Sequence, residues 1–166
     1  MSKPSRYFSK IWIIIIVLIT VGCDQASKEL TRQKVVPQSF IPVIENHLIL
    51  TNVENTGAML GFGQDFHPIV KKIIFQGLPL LVLVLMLFRI MTKPNLNTLL
   101  LVAFALVIGG GIGNLIDRIA YGSVTDFFQL RLGFLRTGIF NIADVAVTTG
   151  VLLLLFLIFR GKKLAI

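Results

Sequence analysis

The chain has 166 residues, of which 55% are hydrophobic and only 14% are charged. Soluble domains carry roughly 25% charged residues, so this composition and its long apolar runs exclude a soluble protein and predict one integral membrane domain over residues 1–166. The net charge of +8 does not indicate a nucleic-acid partner, because the basic residues flank apolar runs. The single cysteine predicts no internal disulfide. The two histidines lack metal-ligand spacing, so the sequence predicts no metal or other cofactor.

The first predicted span covers about residues 11–30, provided that the helix accommodates Asp24 and Lys28. These charges are four residues apart and share a helix face, which indicates an internal salt bridge, a polar patch that organises a site, or both. The same region resembles a secretory signal, because Thr20-Val21-Gly22-Cys23 has the form of a lipobox. Lipoboxes usually have Leu where Thr20 stands, and three further spans follow, so we interpret Cys23 as a small apolar residue of the first helix.

The first outer segment, residues 31–68, combines two short apolar runs with a turn-like motif. The runs Phe40–Ile44 and His47–Val53 are rich in β-branched and apolar residues between turn formers, which predicts short strands of a small β-sheet on the membrane surface. Asn55-Thr56-Gly57-Ala58 follows them, and Asn-Thr-Gly alone is a weak signal because it often marks a turn.

The second, third and fourth spans are predicted at about residues 69–91, 96–117 and 139–159. Each is near the ~20 residues that cross a bilayer as a helix. In lipid, only helices or closed barrels satisfy the backbone, and these runs are too long and too evenly apolar for barrel strands. The fold class is therefore all-α, with four transmembrane helices and the small extracytoplasmic sheet.

The end of the third span is unusually polar. Gly109 and Gly113 are four residues apart, which lets helices approach closely. Asn114, Asp117 and Arg118 then fall on one helix face. Arg118 is a candidate for holding a carbonyl or a phosphate, or for pairing with a carboxylate, whereas we interpret Asp117 as structural.

Two aspartates flank the start of the fourth span. Asp126 lies in the second outer segment, residues 118–138, and Asp144 lies three residues after Asn141 at the helix start. A first-turn helix charge would explain Asp144, and a loop or capping role would explain Asp126. However, carboxylates at the edge of a membrane span are usually kept for a purpose, and two that meet at one surface can share a proton and activate a water.

Four spans place both termini on one side of the membrane. The segments on that side carry eight of the 16 basic residues and no acid, while the opposite side carries the other eight and all eight acids. Basic counts alone therefore do not decide the orientation. The basic tail before the first span and the absence of nearby acids favour termini in the cytoplasm and a site near the outer surface.

Several ordered motifs of the chain resemble those of lipoprotein signal peptidase, also called signal peptidase II, between about residues 12 and 160. The motifs are Asp24–Lys28, Asn55–Ala58, Gly109–Arg118, Val124–Phe127 and Phe140–Asp144. The resemblance implies an aspartic endopeptidase of the bacterial cytoplasmic (inner) membrane. Such an enzyme removes the signal peptide from diacylglyceryl-modified prolipoproteins by cleaving before the lipidated cysteine. In the family, the aspartates that match Asp126 and Asp144 form the catalytic dyad.

The resemblance also implies which residues line or support the site and which molecules bind there. The matching residues are Asp24, Lys28, Asn55, Gly57, Asn114, Arg118 and Asn141. The surface sheet and a mobile outer loop would hold the lipid-bearing substrate, membrane lipid would surround the protein, and globomycin-type inhibitors would bind. Many members carry a small residue and an aromatic after this Gly-Ala, where Met59-Leu60 stands here, so the fit of the loop to substrate is expected to differ. One chain supplies all these residues, so we expect a monomer.

Other classes of membrane protein predict different patterns. A transporter would carry polar residues deep in several spans, whereas the centres of the second and fourth spans are almost purely apolar. A lipid-anchored adaptor without chemistry would be lipidated at Cys23. A presenilin-type protease needs Gly-x-Gly-Asp and Tyr-Asp motifs inside helices, and this chain has neither.

Overall fold

The computed structural model describes residues 6–58, 61–92 and 96–160, with side chains from residue 11 onward. Four segments are long and apolar enough to cross a membrane, and a four-stranded antiparallel sheet accompanies them. The predicted fold class is therefore confirmed. The helices are α1 (Arg6–Lys34), α2 (Pro68–Lys72), a π-helical turn (Ile73–Gly77), α3 (Leu78–Thr92), α4 (Thr98–Ala120) and α5 (Ile142–Phe159).

Several helix boundaries differ from the sequence prediction, three of them beside the polar end of the bundle. Helix α1 continues to Lys34 instead of ending near residue 30, because its internal charges are paired and buried. Helix α4 continues to Ala120 and not only to residue 117. Helix α5 begins at Ile142 and not at residue 139, because the Asn141 side chain caps the helix there.

Helix α4 is the central element of the bundle and packs against α1, α3 and α5. Its glycines permit this packing, because a Cβ at Gly110 would collide with the backbone carbonyl of Ala143 in α5. A Cβ at Gly109 would collide with Thr20 in α1. The polar end of α4 is therefore held close to both α1 and the start of α5.

The strands follow the order β1 (Phe40–Ile44), β2 (Leu48–Asn55), β3 (Val124–Leu132) and β4 (Leu135–Arg136). The two strands predicted in the first outer segment are confirmed, with β2 shifted by one or two residues at each end. No strand was predicted in the second outer segment, yet β3 lies there. It pairs with β2 so that Asp126 lies opposite Val53.

Candidate active site

Asp126 is the third residue of β3 and is 4% exposed. Both of its carboxylate oxygens accept hydrogen bonds from amide groups. Asn141 Nδ2 donates to Oδ1 at 2.7 Å, and Asn55 Nδ2 donates to Oδ2 at 3.0 Å. Because one donor precedes α5 and the other ends β2, the carboxylate is held between the sheet and the fourth span.

Asp144 lies in the first turn of α5, within a capping box. Asn141 Oδ1 accepts from the Asp144 backbone N–H at 2.9 Å, and Asp144 Oδ2 accepts from the Asn141 N–H at 3.2 Å. The other oxygen, Oδ1, accepts from Asn114 Nδ2 at 2.8 Å. Both carboxylate oxygens of Asp144 therefore accept hydrogen bonds, one within the capping box and one from α4.

Both aspartates line one cavity of about 470 Å³. Its polar lining comes mainly from the end of β2, from β3, from the end of α4 and from α5. Its other walls are mostly apolar, including Val145 and Val147 of α5. Such a cavity admits an apolar ligand and presents carboxylates to one part of it.

The environment of Asp126 disfavours its negative charge. Burial raises the pKa of Asp126 from 3.8 to about 7, and the charge of Asp144 acts in the same direction. The hydrogen bonds from Asn55 and Asn141 oppose this rise without reversing it. A carboxyl with a pKa near neutrality can hold or release a proton at physiological pH.

Lys28 reaches the aspartates indirectly, through the amide group of Asn114. Lys28 Nζ donates to Asn114 Oδ1 at 2.9 Å, and Asn141 Nδ2 donates to the same oxygen at 3.1 Å. With its oxygen facing two donors, the amide must direct its nitrogen towards Asp144. The orientation of the Asn114 donor is therefore fixed by its neighbours.

A buried ionic cluster lies behind the cavity. Lys28 is 2.8 Å from Asp24 and 3.3 Å from Asp117, and all three side chains are fully buried. Arg32 Nη2 lies 3.0 Å from Asp117 Oδ2. Asp24 Oδ1 accepts from the backbone N–H of Ala143 at 2.9 Å, so the cluster joins α1, α4 and the first turn of α5.

The first outer segment forms one edge of the cavity. There Gly57 of this segment contacts Arg118 of α4. Asn55 Oδ1 accepts from the Gly57 N–H at 2.9 Å, and Arg118 Nη2 donates to the Gly57 carbonyl at 3.1 Å. A Cβ at Gly57 would collide with the Phe62 carbonyl, so glycine is required there. Met59 and Leu60, the expected departure in this loop, lie outside the described residues.

Several residues of the polar network were not singled out from the sequence. Gln25 Nε2 lies 3.0–3.2 Å from oxygens of Gly113, Asp117 and Asp24. Its position in the motif Asp24–Lys28 is the sequence feature that could have identified it. Gln76 Nε2 donates to the Arg118 carbonyl at 2.9 Å from the π-helical turn. Nothing in the sequence marks that turn.

Thr125 was also missed, although it lies beside Asp126. Its hydroxyl accepts from Arg32 Nε at 2.8 Å and donates to Glu54 Oε1 at 2.7 Å. Its backbone N–H donates to Asp117 Oδ2 at 3.2 Å. Thr125 therefore ties β3 to α1, α4 and β2 on the strand face opposite the Asp126 side chain.

Metal chemistry would need a cluster of suitable ligands. Within residues 6–58, 61–92 and 96–160, no group of three or more His, Cys, Asp or Glu side chains could hold a metal ion.

Comparisons with known proteins agree on one family. A family profile described as Signal peptidase (SPase) II matches residues 15–160. The lipoprotein signal peptidase of Clostridioides difficile is 37% identical over 151 residues, covering 90% of this chain and 97% of that protein. The protein of the same name from Moorella thermoacetica is 36% identical over 141 residues, covering 85% and 88%.

Two solved structures, each described as a bacterial membrane enzyme, share the fold. One has a TM-score of 0.81 and 27% sequence identity, covering 91% of this chain and 89% of the other. The second has a TM-score of 0.77 and the same identity, covering 91% and 93%. The similarity therefore extends over almost the whole chain.

Proposed function

This chain belongs to the signal peptidase II family, and we propose that it is an aspartic endopeptidase whose catalytic pair is Asp126 and Asp144. It removes signal peptides from prolipoproteins that carry diacylglycerol, by cleaving before the lipidated cysteine. One observation carries the catalytic assignment: the two carboxyl groups line one cavity, and the single side chain of Asn141 contacts both residues.

The hydrogen bonds support distinct starting roles for the two aspartates. Asp144 accepts a hydrogen bond from the fixed amide of Asn114 and lies in the first turn of α5. Burial of Asp126 raises its pKa to about 7, which favours its protonated form. We therefore assign the shared proton to Asp126 and the role of base to Asp144, while the pair titrates as a unit.

The reaction then proceeds through a water held between the carboxyl groups. Asp144 takes a proton from this water while the water oxygen attacks the scissile carbonyl carbon. At the same time Asp126 gives its proton to the carbonyl oxygen. The product is a tetrahedral diol. When the C–N bond breaks, Asp144 donates its proton to the leaving amine and Asp126 recovers one from a diol hydroxyl.

The remaining predicted site residues hold this pair and the substrate path in place. Asn55 and Asn141 orient Asp126, whereas Lys28 acts through Asn114 and Asp24 braces the first turn of α5. Arg118 holds the Gly57 carbonyl and so fixes the loop at the cavity edge. The apolar walls suit a lipid-bearing substrate and also an apolar inhibitor of the globomycin type.

The position of the enzyme in the cell follows from the same proposal. It lies in the bacterial cytoplasmic membrane with both termini in the cytoplasm and the cavity near the outer surface, where a translocated prolipoprotein arrives. It functions as a monomer, because both aspartates and the polar groups that contact them come from one chain.

Cleavage of a defined substrate by the purified protein tests the proposal. The protein is mixed with a diacylglyceryl-modified prolipoprotein in detergent, and release of the signal peptide is followed by mass spectrometry. Asp126→Asn and Asp144→Asn are each expected to lower kcat by about 10²–10⁴-fold, the usual contribution of acid–base groups. Asp65→Asn, at an exposed aspartate of the first outer segment, is the control and should cleave normally. Normal turnover by Asp126→Asn would exclude the assignment.

A further inference from the structure

The hairpin between β3 and β4 ends in an exposed apolar tip. We call Leu132–Leu135 the hairpin tip. Leu132 pairs with Leu135, and Gly133 adopts a φ of +59°, as a two-residue hairpin turn requires. Phe134 is 92% exposed, and both leucines are about 60% exposed. Three large apolar side chains therefore project together from the end of the sheet.

Two arginines lie directly opposite one another at the base of this tip. Arg131 pairs with Arg136 across the strands. Like charges in directly opposite positions destabilise a strand pair. In the part of the chain that the structure describes, no carboxylate lies within 4.0 Å of either guanidinium. An external anion between the two arginines would relieve their repulsion.

The hairpin is tied to the membrane surface at both ends. Helix α4 ends at Ala120 and α5 begins at Ile142, so residues 121–141 start and finish at the same membrane surface. The returning chain is bound to β3, since the Phe140 N–H donates to the Phe128 carbonyl at 2.8 Å and the Thr137 N–H donates to the Leu130 carbonyl at 3.0 Å. From Phe128 to the turn, five residues of strand extend about 16 Å.

We propose that the hairpin tip inserts into the boundary between headgroups and acyl chains, and that Arg131 and Arg136 bind phosphates of anionic phospholipids there. Apolar and aromatic side chains flanked by cations are the pattern of interfacial anchors. Guanidinium groups bind phosphate oxygens in a bidentate manner. The tip is a narrow projection, and among the described residues it has no acidic neighbour in ion-pair contact, which suits a fluid anionic surface better than a complementary protein face.

A tryptophan placed at the tip tests this interaction without relying on peptidase activity. The chain has one tryptophan, Trp12, so Trp12→Phe combined with Phe134→Trp leaves a single reporter at the tip. The protein is placed in nanodiscs with equal amounts of phosphatidylcholine and phosphatidylglycerol. Acyl-chain bromine, which quenches nearby tryptophan, is carried by one of the two lipids at a time. Cleavage of a prolipoprotein by this variant checks its fold separately.

Brominated phosphatidylglycerol should quench the reporter at least twofold more than brominated phosphatidylcholine. Adding Arg131→Gln and Arg136→Gln should equalise the two lipids. Adding Lys34→Gln and Lys72→Gln should leave the preference intact, because this control removes the same charge from exposed lysines outside the hairpin.

Three results would overturn the proposal. Equal quenching by both lipids before the arginines are changed would remove the anionic lipid as partner. Water-like emission without quenching would show that the tip does not insert. Protection of the reporter only in discs that hold two copies of the chain would assign the tip to a protein interface instead.

Discussion

Asn141 contacts both aspartates with one side chain and also caps the start of helix α5. The side-chain oxygen Oδ1 caps α5 by accepting from the Asp144 backbone N–H. The side-chain nitrogen Nδ2 donates to Asp126 and to Asn114. A single side chain therefore sets both the start of the helix and the relative placement of the two carboxyl groups. Its cap function and its donor function can be separated by substitution.

Asn141→Ser should retain the fold while losing activity. Serine caps helices about as well as asparagine but cannot donate to Asp126 and Asn114 from the same place. We expect kcat to fall by about 10–100-fold in both variants, and Asn141→Ala should be about 1 kcal/mol less stable than Asn141→Ser because it also loses the cap. Parallel cleavage and thermal-unfolding measurements in detergent check this, and equal stability loss in both variants would contradict the separation.

The pH dependence of cleavage should report the proton on the pair. The pKa of Asp126 is raised from 3.8 to about 7, so the pair keeps its proton up to that pH and loses it above. We expect kcat/KM to fall about tenfold per pH unit above about 7. Stability supplied by this group is full below pH 3.8 and declines towards pH 7, because the folded state binds the extra proton. A rate that stays constant up to pH 9 would exclude a protonated Asp126.

The sequence indicated both aspartates and the three asparagines that contact them, but not the directions of the hydrogen bonds between them. A charge at a span edge is visible from hydropathy, and the resemblance to the family implies that Asp126 and Asp144 form the catalytic pair. The orientation of the Asn114 amide was not predictable, because it depends on donors from α1 and from the residue before α5. Such information exists only after three separate segments have packed.

The transmembrane helices and the strand β3 differ in how clearly the sequence encodes them. Long apolar runs suffice for the spans, because lipid leaves the backbone few alternatives. The first four residues of β3 are all buried, so the alternation that predicts a half-exposed strand is absent. The π-helical turn depends on contacts of Phe75 with Phe66 and of Gln76 with the end of α4, which local sequence does not encode.

Thr125 joins β3 to α1, α4 and β2, and substitution there should affect catalysis without touching the aspartates. Thr125→Val keeps the shape but removes the hydroxyl that joins Arg32 to Glu54. We expect about 1–3 kcal/mol of destabilisation, because buried partners lose their hydrogen bonds, together with a lower kcat at unchanged pH optimum. Thr92→Val is a matched control, since that exposed hydroxyl bonds the carbonyl of Phe88 in its own helix. A wild-type kcat in a less stable Thr125→Val protein would limit Thr125 to a structural role.

The buried ionic cluster joins the helix bundle to the elements that carry Asp126 and Asp144. It contains two carboxylates, Asp24 and Asp117, and two cations, Lys28 and Arg32, so its formal charge is balanced. Paired buried charges contribute little net stability by themselves, but removing one partner leaves an uncompensated charge. The cluster therefore makes the correct assembly of α1, α4 and α5 interdependent.

A double substitution can separate the charge balance of this cluster from the role of Lys28 in orienting Asn114. Lys28→Met should destabilise the fold by about 3–5 kcal/mol, because it leaves a buried carboxylate without its cation. Adding Asp24→Asn restores the balance and keeps an oxygen that can accept from the Ala143 N–H, so at least half of the lost stability should return. Cleavage should nevertheless stay slow in the double variant, because nothing replaces the Lys28 hydrogen bond to Asn114. Equilibrium unfolding and kcat are measured on the two single variants and the double variant. Additive destabilisation would argue against a charge-balanced cluster. Recovery of kcat together with stability would show that Lys28 does not act on Asp144 through Asn114.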